Sequence, residues 1–158
     1  MDKAKIYQEV AEQIEAVNAG EPSRTARMAT ASCLLSLAFD YYFWTGFYVA
    51  DPHKPRELVV GPYQGTLGCL RIPFDRGVCG ACASQEQTII VDNVHAFPGH
   101  IACDSQTNSE IVVPVFTDDG ALFAVLDVDS TDISSFDVID KAGLEAIAKT
   151  LLVGATQH

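Results

Sequence analysis

The sequence predicts an α+β fold, in which an antiparallel sheet carries helices packed against it. Three observations lead there. Apolar residues recur at helical spacing at both ends of the chain, strand-forming runs fill the middle, and Asp119-Gly120 marks a hairpin between two of those runs. No internal repeat, low-complexity run or linker divides the 158 residues, so residues 1–158 are read as a single domain.

Ile6, Val10, Ile14 and Val17 lie on one helical face ahead of Gly20 and Pro22, which predicts an amphipathic helix over 2–19. Ser23 can cap a second helix, 23–39, whose expected apolar stripe is Ala26, Ala29, Cys33, Leu34 and Leu37. On that stripe Cys33 reads as a small buried hydrophobe. Residues 29–50 are apolar enough to suggest a membrane span, but Asp40 interrupts them and the composition turns aromatic and β-branched at Tyr41. A helix running into a strand is the better account. The run 41–50, YYFWTGFYVA, carries bulk on both faces and reads as a central strand; DPHKPRE then turns the chain into a strand at 58–61. Trp44, taken on its own, reads as core packing. Strands over 110–116 and 121–129 flank the hairpin turn, and a helix beginning near Ser134 or Ser135 runs over 135–154 through Ile139, Leu144, Ile147 and Leu151. The sheet and any site it carries thus occupy 41–130.

Composition narrows the function classes. Hydrophobic residues make up 48% and charged residues 20%, as in ordinary globular proteins. The net charge of -11, from 21 acids against 10 bases, repels phosphate backbones and anionic membranes, so neither nucleic acid nor membrane is expected as a partner. The N-terminal MDKAKIYQEV lacks the apolar core of a secretory signal, and a cytoplasmic location with resting thiols is expected.

Reactive side chains concentrate between Gly68 and Glu110, which holds four of five cysteines (Cys69, Cys79, Cys82, Cys103) and two of four histidines (His95, His100). Cys79-Gly-Ala-Cys82 followed by those histidines has zinc-finger spacing. Pro98 and Gly99 break the helix such a finger needs, and no D-x-D-x-D-G loop is present, so no metal is expected. Cys103, in the polar stretch GHIACDSQTNSE, reads as the reactive thiol by context. Several thiols in a reducing compartment suggest one that is oxidised in turnover and rescued by another. A two-residue Asp119-Gly120 loop would pair Asp118 with Ala121, Phe116 with Phe123, Val112 with Asp127 and Glu110 with Asp129. Glu110, Asp127 and Asp129 then converge on one face, where a cation, a ligand ammonium, a proton or full solvation must compensate.

The segments CLRIPFDRGVCG (69–80), DNVHAFPGHIACDSQTNSEIVVPV (92–115) and VLDVDS (125–130), with FWTGFYV at 43–49, resemble free methionine-(R)-sulfoxide reductase. The resemblance covers nearly the whole chain and implies a single GAF-type domain and reduction of the R epimer of free methionine sulfoxide without a cofactor. It implies Cys103 as the nucleophile, Cys79 and Cys69 as resolving or relaying cysteines, and thioredoxin as reductant. Glu110, Asp127, Asp129 and Trp44 fall on the family's pocket residues, which moves Trp44 from core to pocket. Cys82 departs from the three-cysteine pattern and adds a thiol beside Cys79. The rival class is a GAF-like ligand-binding or redox-sensing module without turnover. Either a monomer or a homodimer is compatible, since the first helix can pack on its own sheet or pair with a second copy.

Overall fold

A computed structural model describes all residues 1–158. Helices α1 (Lys3–Asn18) and α2 (Arg24–Ala38) precede strands β1 (Trp44–Ala50), β2 (Glu57–Gln64) and β3 (Arg71–Pro73). Helix α3 (Gly77–Gln85), strands β4 (Ile89–Val91), β5 (Ser109–Phe116) and β6 (Leu122–Ser130), and helix α4 (Val138–Leu151) complete the chain. The six strands form one antiparallel sheet in the order β3-β2-β1-β6-β5-β4, which makes β1 an interior strand and the fold α+β. No helix is long and apolar enough to cross a membrane.

Strand alternation splits the molecule into two cores. Phe47, Val113, Leu126 and Val128 face α1, α2 and α4 together with Tyr7, Ile14, Leu35 and Leu144. Trp44, Tyr48, Val112 and Val125 face the other way, against Val78, Cys79 and Cys82 of α3. The second layer is the thinner, and it holds the site.

Local chemistry explains where the helices begin. Asp2 caps α1 by accepting from the Lys5 amide at 3.1 Å, and Ser23 caps α2 by accepting from Ala26 at 3.1 Å. The last helix starts later than Ser134 or Ser135: Asp137 is its N-cap and forms a reciprocal capping box with Asp140, while Ser135 Oγ donates to Ser130 Oγ at 2.7 Å. Strand β1 begins at Trp44 and not at Tyr41, because Tyr41 and Tyr42 turn into a buried polar network. Tyr7 and Tyr41 donate to Asp140 Oδ1, Lys3 Nζ donates to Asp140 Oδ2 at 2.8 Å, and the Tyr7 and Tyr42 hydroxyls pair at 2.6 Å. That network ties α1, the α2–β1 junction and α4 together.

Two expectations fail on α2 and on the hairpin. The buried face of α2 is Arg27, Met28, Ala31, Ser32 and Leu35, and Cys33 is exposed, with Leu37 at 79%. The Arg27 guanidinium takes the inward direction, donating to the carbonyls of Glu21, Leu151 and Val153, which rotates the apolar stripe outward. The β5–β6 loop is one residue longer than the two-residue turn: Gly120 N–H donates to Thr117 O at 2.9 Å, Thr117 pairs with Ala121, and Gly120 sits at φ 85°. Phe116 therefore pairs with Leu122, not Phe123. A bulge between Val115 and Phe116 then absorbs the offset, and from Val115↔Ala124 onward the ladder has the expected register.

Candidate active site

Strand register assembles the acidic side of the site. Across β1, β6 and β5, Trp44 lies beside Asp129 and Asp129 beside Glu110; one step along, Gly46 lies beside Asp127 and Asp127 beside Val112. All of these side chains project from the α3 side of the sheet. Glu110 and Asp127 are buried, at 7% and 4% exposure, while Asp129 is partly exposed. Burial first, and then mutual repulsion, pushes all three carboxyls well above the usual carboxylate range. Asp127 Oδ1, Asp129 Oδ1 and the Thr107 Oγ1 hydroxyl have no hydrogen-bond partner in the protein.

Helix α3 supplies the opposite wall. It opens at Gly77, whose φ of 66° requires the glycine, and Arg76 at its N-cap makes no side-chain cap. Gly80 lets the helix lie against β3: a Cβ there would stand 2.5 Å from the Pro73 carbonyl oxygen. This close seat brings Cys79 Sγ to 3.9 Å from Glu110 Oε2. Burial and the acids raise the Cys79 thiol well above an ordinary thiol, and Cys82, beside it in the core, is raised for the same reasons. Cys79 and Cys82 both sit inside α3, a helix that the sequence reading did not assign.

Two loops close the third side. Cys69 and Cys103 are joined in a disulfide with Cα atoms 5.3 Å apart, and Thr66 Oγ1 donates to Asp104 Oδ2 at 2.6 Å beside it. Trp44 Nε1 donates to Thr66 O at 2.9 Å, and its ring stacks with those of Tyr48 and Tyr63, with centroids 5.5 Å and 5.0 Å away. Gly68 is packed closely here as well, since a Cβ would meet the Trp44 ring at 3.0 Å and the Tyr48 hydroxyl at 3.1 Å. Trp44 is at once core and cavity wall.

The result is a narrow cavity of about 30 Å³, lined by Trp44, Cys79, Cys103, Glu110, Asp127 and Asp129 among sixteen residues. Of the expected site residues only Cys69 is not part of the lining, and its disulfide holds it against Cys103. His100 also lines the cavity and is held below the ordinary imidazole range by burial and by His95; the His95–His100 pair shares no site with Cys82. Tyr48 and Thr107 line it too and were not anticipated. Tyr48 shares the Trp44 and Gly46 face by strand alternation, a signal that needs only the pairing of β1 with β6 to become a site assignment. A buried wall of acids can take up a cation or hold a proton, an indole can cover a small apolar group, and neighbouring thiols can exchange a disulfide.

Residues 22–153 match the GAF domain family model. The chain is 40% identical over 156 residues to the free methionine-R-sulfoxide reductase of Saccharomyces cerevisiae, covering 96% of this chain and 86% of that protein. Among solved structures, the free methionine-R-sulfoxide reductase of Neisseria meningitidis in complex with its substrate superposes with a TM-score of 0.90 at 47% identity, covering 96% of this chain and 89% of that one. The reduced form of fRMsr of Staphylococcus aureus superposes with a TM-score of 0.86 at 40% identity, covering 92% of both chains.

Proposed function

The chain belongs to the free methionine-(R)-sulfoxide reductases, enzymes built on a single GAF domain, and from that premise we propose that Cys103 carries the reduction and Cys69 resolves it. The observation that carries this reading is the Cys69–Cys103 disulfide set against a cavity lined by three crowded carboxyls, two of them buried. The substrate is the R epimer of free methionine sulfoxide.

A free amino acid brings an ammonium group, which a methionine residue within a chain lacks. The unpartnered Oδ1 atoms of Asp127 and Asp129 supply acceptors for it, and Asp127, the more buried, is assigned to the ammonium. With the carboxyls raised by burial and crowding, one of them keeps a proton at neutral pH and gives it to the sulfoxide oxygen; Glu110 and Asp129, opposite each other in the ladder, share that role. Trp44 covers the substrate's methyl and thioether end.

The Cys103 thiolate attacks the sulfoxide sulfur as the oxygen is protonated. Methionine departs and Cys103 is left as a sulfenic acid. The Cys69 thiol displaces water from it, forming the disulfide, so that one sulfoxide and two thiols yield methionine, a disulfide and water. A thioredoxin-type dithiol then reduces the bond. Cys79 stays on the acidic side of the cavity, hydrogen-bonded to Glu110, which favours Cys69 over Cys79 as first partner.

The test is methionine release from separate R and S epimers. The reduced wild-type protein should consume only the R epimer with thioredoxin recycling. Cys103→Ser should form no methionine with any reductant, whereas Cys69→Ser should form one equivalent per chain and then stall. Binding of either epimer without turnover would replace this reading by a non-catalytic ligand-binding module.

A further inference from the structure

Cys79 Sγ and one carboxylate oxygen each from Glu110 and Asp127 all lie within 4.8 Å of one another, the only such set of three His, Cys, Asp or Glu donors in the molecule. An ammonium ligand explains the carboxylates but has no use for a sulfur donor. A tetrahedral zinc ion with about 2.3 Å to sulfur and about 2.0 Å to oxygen separates its ligands by roughly 3.5 Å. The Cys79 Sγ to Glu110 Oε2 spacing of 3.9 Å needs a contraction of only a few tenths of an ångström to match. Cys79, Glu110 and Asp127 are 4%, 7% and 4% exposed, so a bound ion would be shielded from water on this side. A second, independent group points into the same space: Thr107, 5% exposed, lines the cavity with an Oγ1 that no protein atom satisfies.

We propose that the substrate-free cavity is a binding site for one Zn2+ ion, held by Cys79, Glu110 and Asp127, which excludes the substrate and so inhibits the enzyme. Three protein ligands leave a fourth position for water, the open form of zinc site. One thiolate with two carboxylates suits a borderline-soft ion over Mg2+ or Ca2+, which prefer all-oxygen shells. The ion is a competitor and not a cofactor, because it occupies the acids that receive the ammonium and the oxygen. Binding is an exchange of protons for metal: Cys79 loses its proton to become a ligand and at least one carboxyl loses another, so affinity rises with pH. The site is independent of the catalytic disulfide. Cys79 remains a free thiol while Cys69 and Cys103 are joined, so the oxidised chain binds the ion too.

Titration of the oxidised, full-length chain with Co2+ under argon tests the site, because a cobalt–thiolate bond produces a near-ultraviolet charge-transfer band. One Co2+ per chain is expected, with that band, displaced by stoichiometric Zn2+. The band should vanish in Cys79→Ser and survive in Cys82→Ser and Cys33→Ser. Should Cys79→Ser fail to fold by circular dichroism, Asp127→Asn replaces it and should lower Zn2+ affinity while leaving the cysteines intact. A band that survives Cys79→Ser, an Asp127→Asn variant with unchanged Zn2+ affinity, metal bound with no thiolate band, or no bound metal would each overturn the proposal. Competition by free methionine-(R)-sulfoxide is a separate arm that rests on the substrate assignment. Metal binding with a thiolate band but no competition overturns the inhibitory role alone, while failure of turnover leaves the spectral result untouched.

Discussion

Asp127 carries the sharpest conflict between stability and function. Its carboxyl is buried at 4% exposure, repelled by Asp129, and leaves Oδ1 without a partner, so in the free protein it contributes nothing that an amide of the same shape would not. Asp127→Asn should therefore raise stability at pH 7 by about 1–2 kcal/mol, as relief of active-site strain commonly does, while abolishing turnover of the free amino acid. Paired thermal melts and methionine assays check both halves. A destabilised variant would mean that the carboxylate is already compensated in the resting protein. Cys33 shows the opposite limit of residue-scale reading. Its helical spacing put it on an apolar stripe, but the inward turn was taken by Arg27, whose three carbonyl partners come from the α1–α2 linker, the end of α4 and the residues beyond it. Periodicity counts apolar residues and cannot see a buried guanidinium that tertiary carbonyls satisfy.

Among the elements, α1, α2, β1, β5, β6 and α4 were legible because each has a period, a cap or a turn signal in its own residues. Helix α3 has none of these. Its sequence, GVCGACASQ, contacts β3, β4, β5 and β6, and Gly77, Val78, Cys79, Gly80, Cys82 and Ala83 are all buried, so no polar face alternates with an apolar one. Strands β3 and β4 are three residues each and exist only through pairing at the sheet edges. The acidic cluster was legible for a subtler reason: a one-residue error in the loop length is offset by the bulge at Phe123, so the far end of the ladder kept its register. Close seating of α3 is what converts that cluster into a cavity. Gly80→Ala forces the helix off the Pro73 carbonyl, and about 1–3 kcal/mol of destabilisation is expected, typical of overpacking. Turnover should fall by more than the stability loss explains, because Cys79 and the N-terminal turn of α3 move with the helix. Urea unfolding alongside kcat/KM distinguishes this from simple unfolding, which would lower activity only in proportion to the folded fraction.

At the scale of the whole molecule, two sets of buried acids pull stability in opposite directions with pH. Asp140 is held below the ordinary range, despite its burial, by Lys3, Tyr41 and Tyr7. A group lowered on folding contributes stability that is present above its unfolded value of about 4 and is lost as pH falls through the folded one. Glu110, Asp127 and Asp129 are raised on folding, so above pH of about 4 the native state holds more protons than the unfolded chain, and stability falls as pH climbs toward the raised values. If one extra proton is retained by the cluster between pH 5 and 7, the loss is about 1.4 kcal/mol per unit, or roughly 3 kcal/mol in all. Repulsion within a chain of net charge -11 acts in the same direction over that range. His100, lowered by burial, opposes it, gaining stability as pH rises toward its unfolded value of about 6.5. Three acids outweigh one imidazole, and the stability maximum is expected between about pH 4 and 6, below neutrality. Urea melts of the oxidised protein at half-unit intervals from pH 4 to 8 locate it, and the fall above pH 5 should flatten in Glu110→Gln and steepen in His100→Asn. A curve that is flat or rising from pH 5 to 7 in both the parent and His100→Asn would mean that the folded cluster retains no proton, and would remove the acid that the sulfoxide oxygen needs.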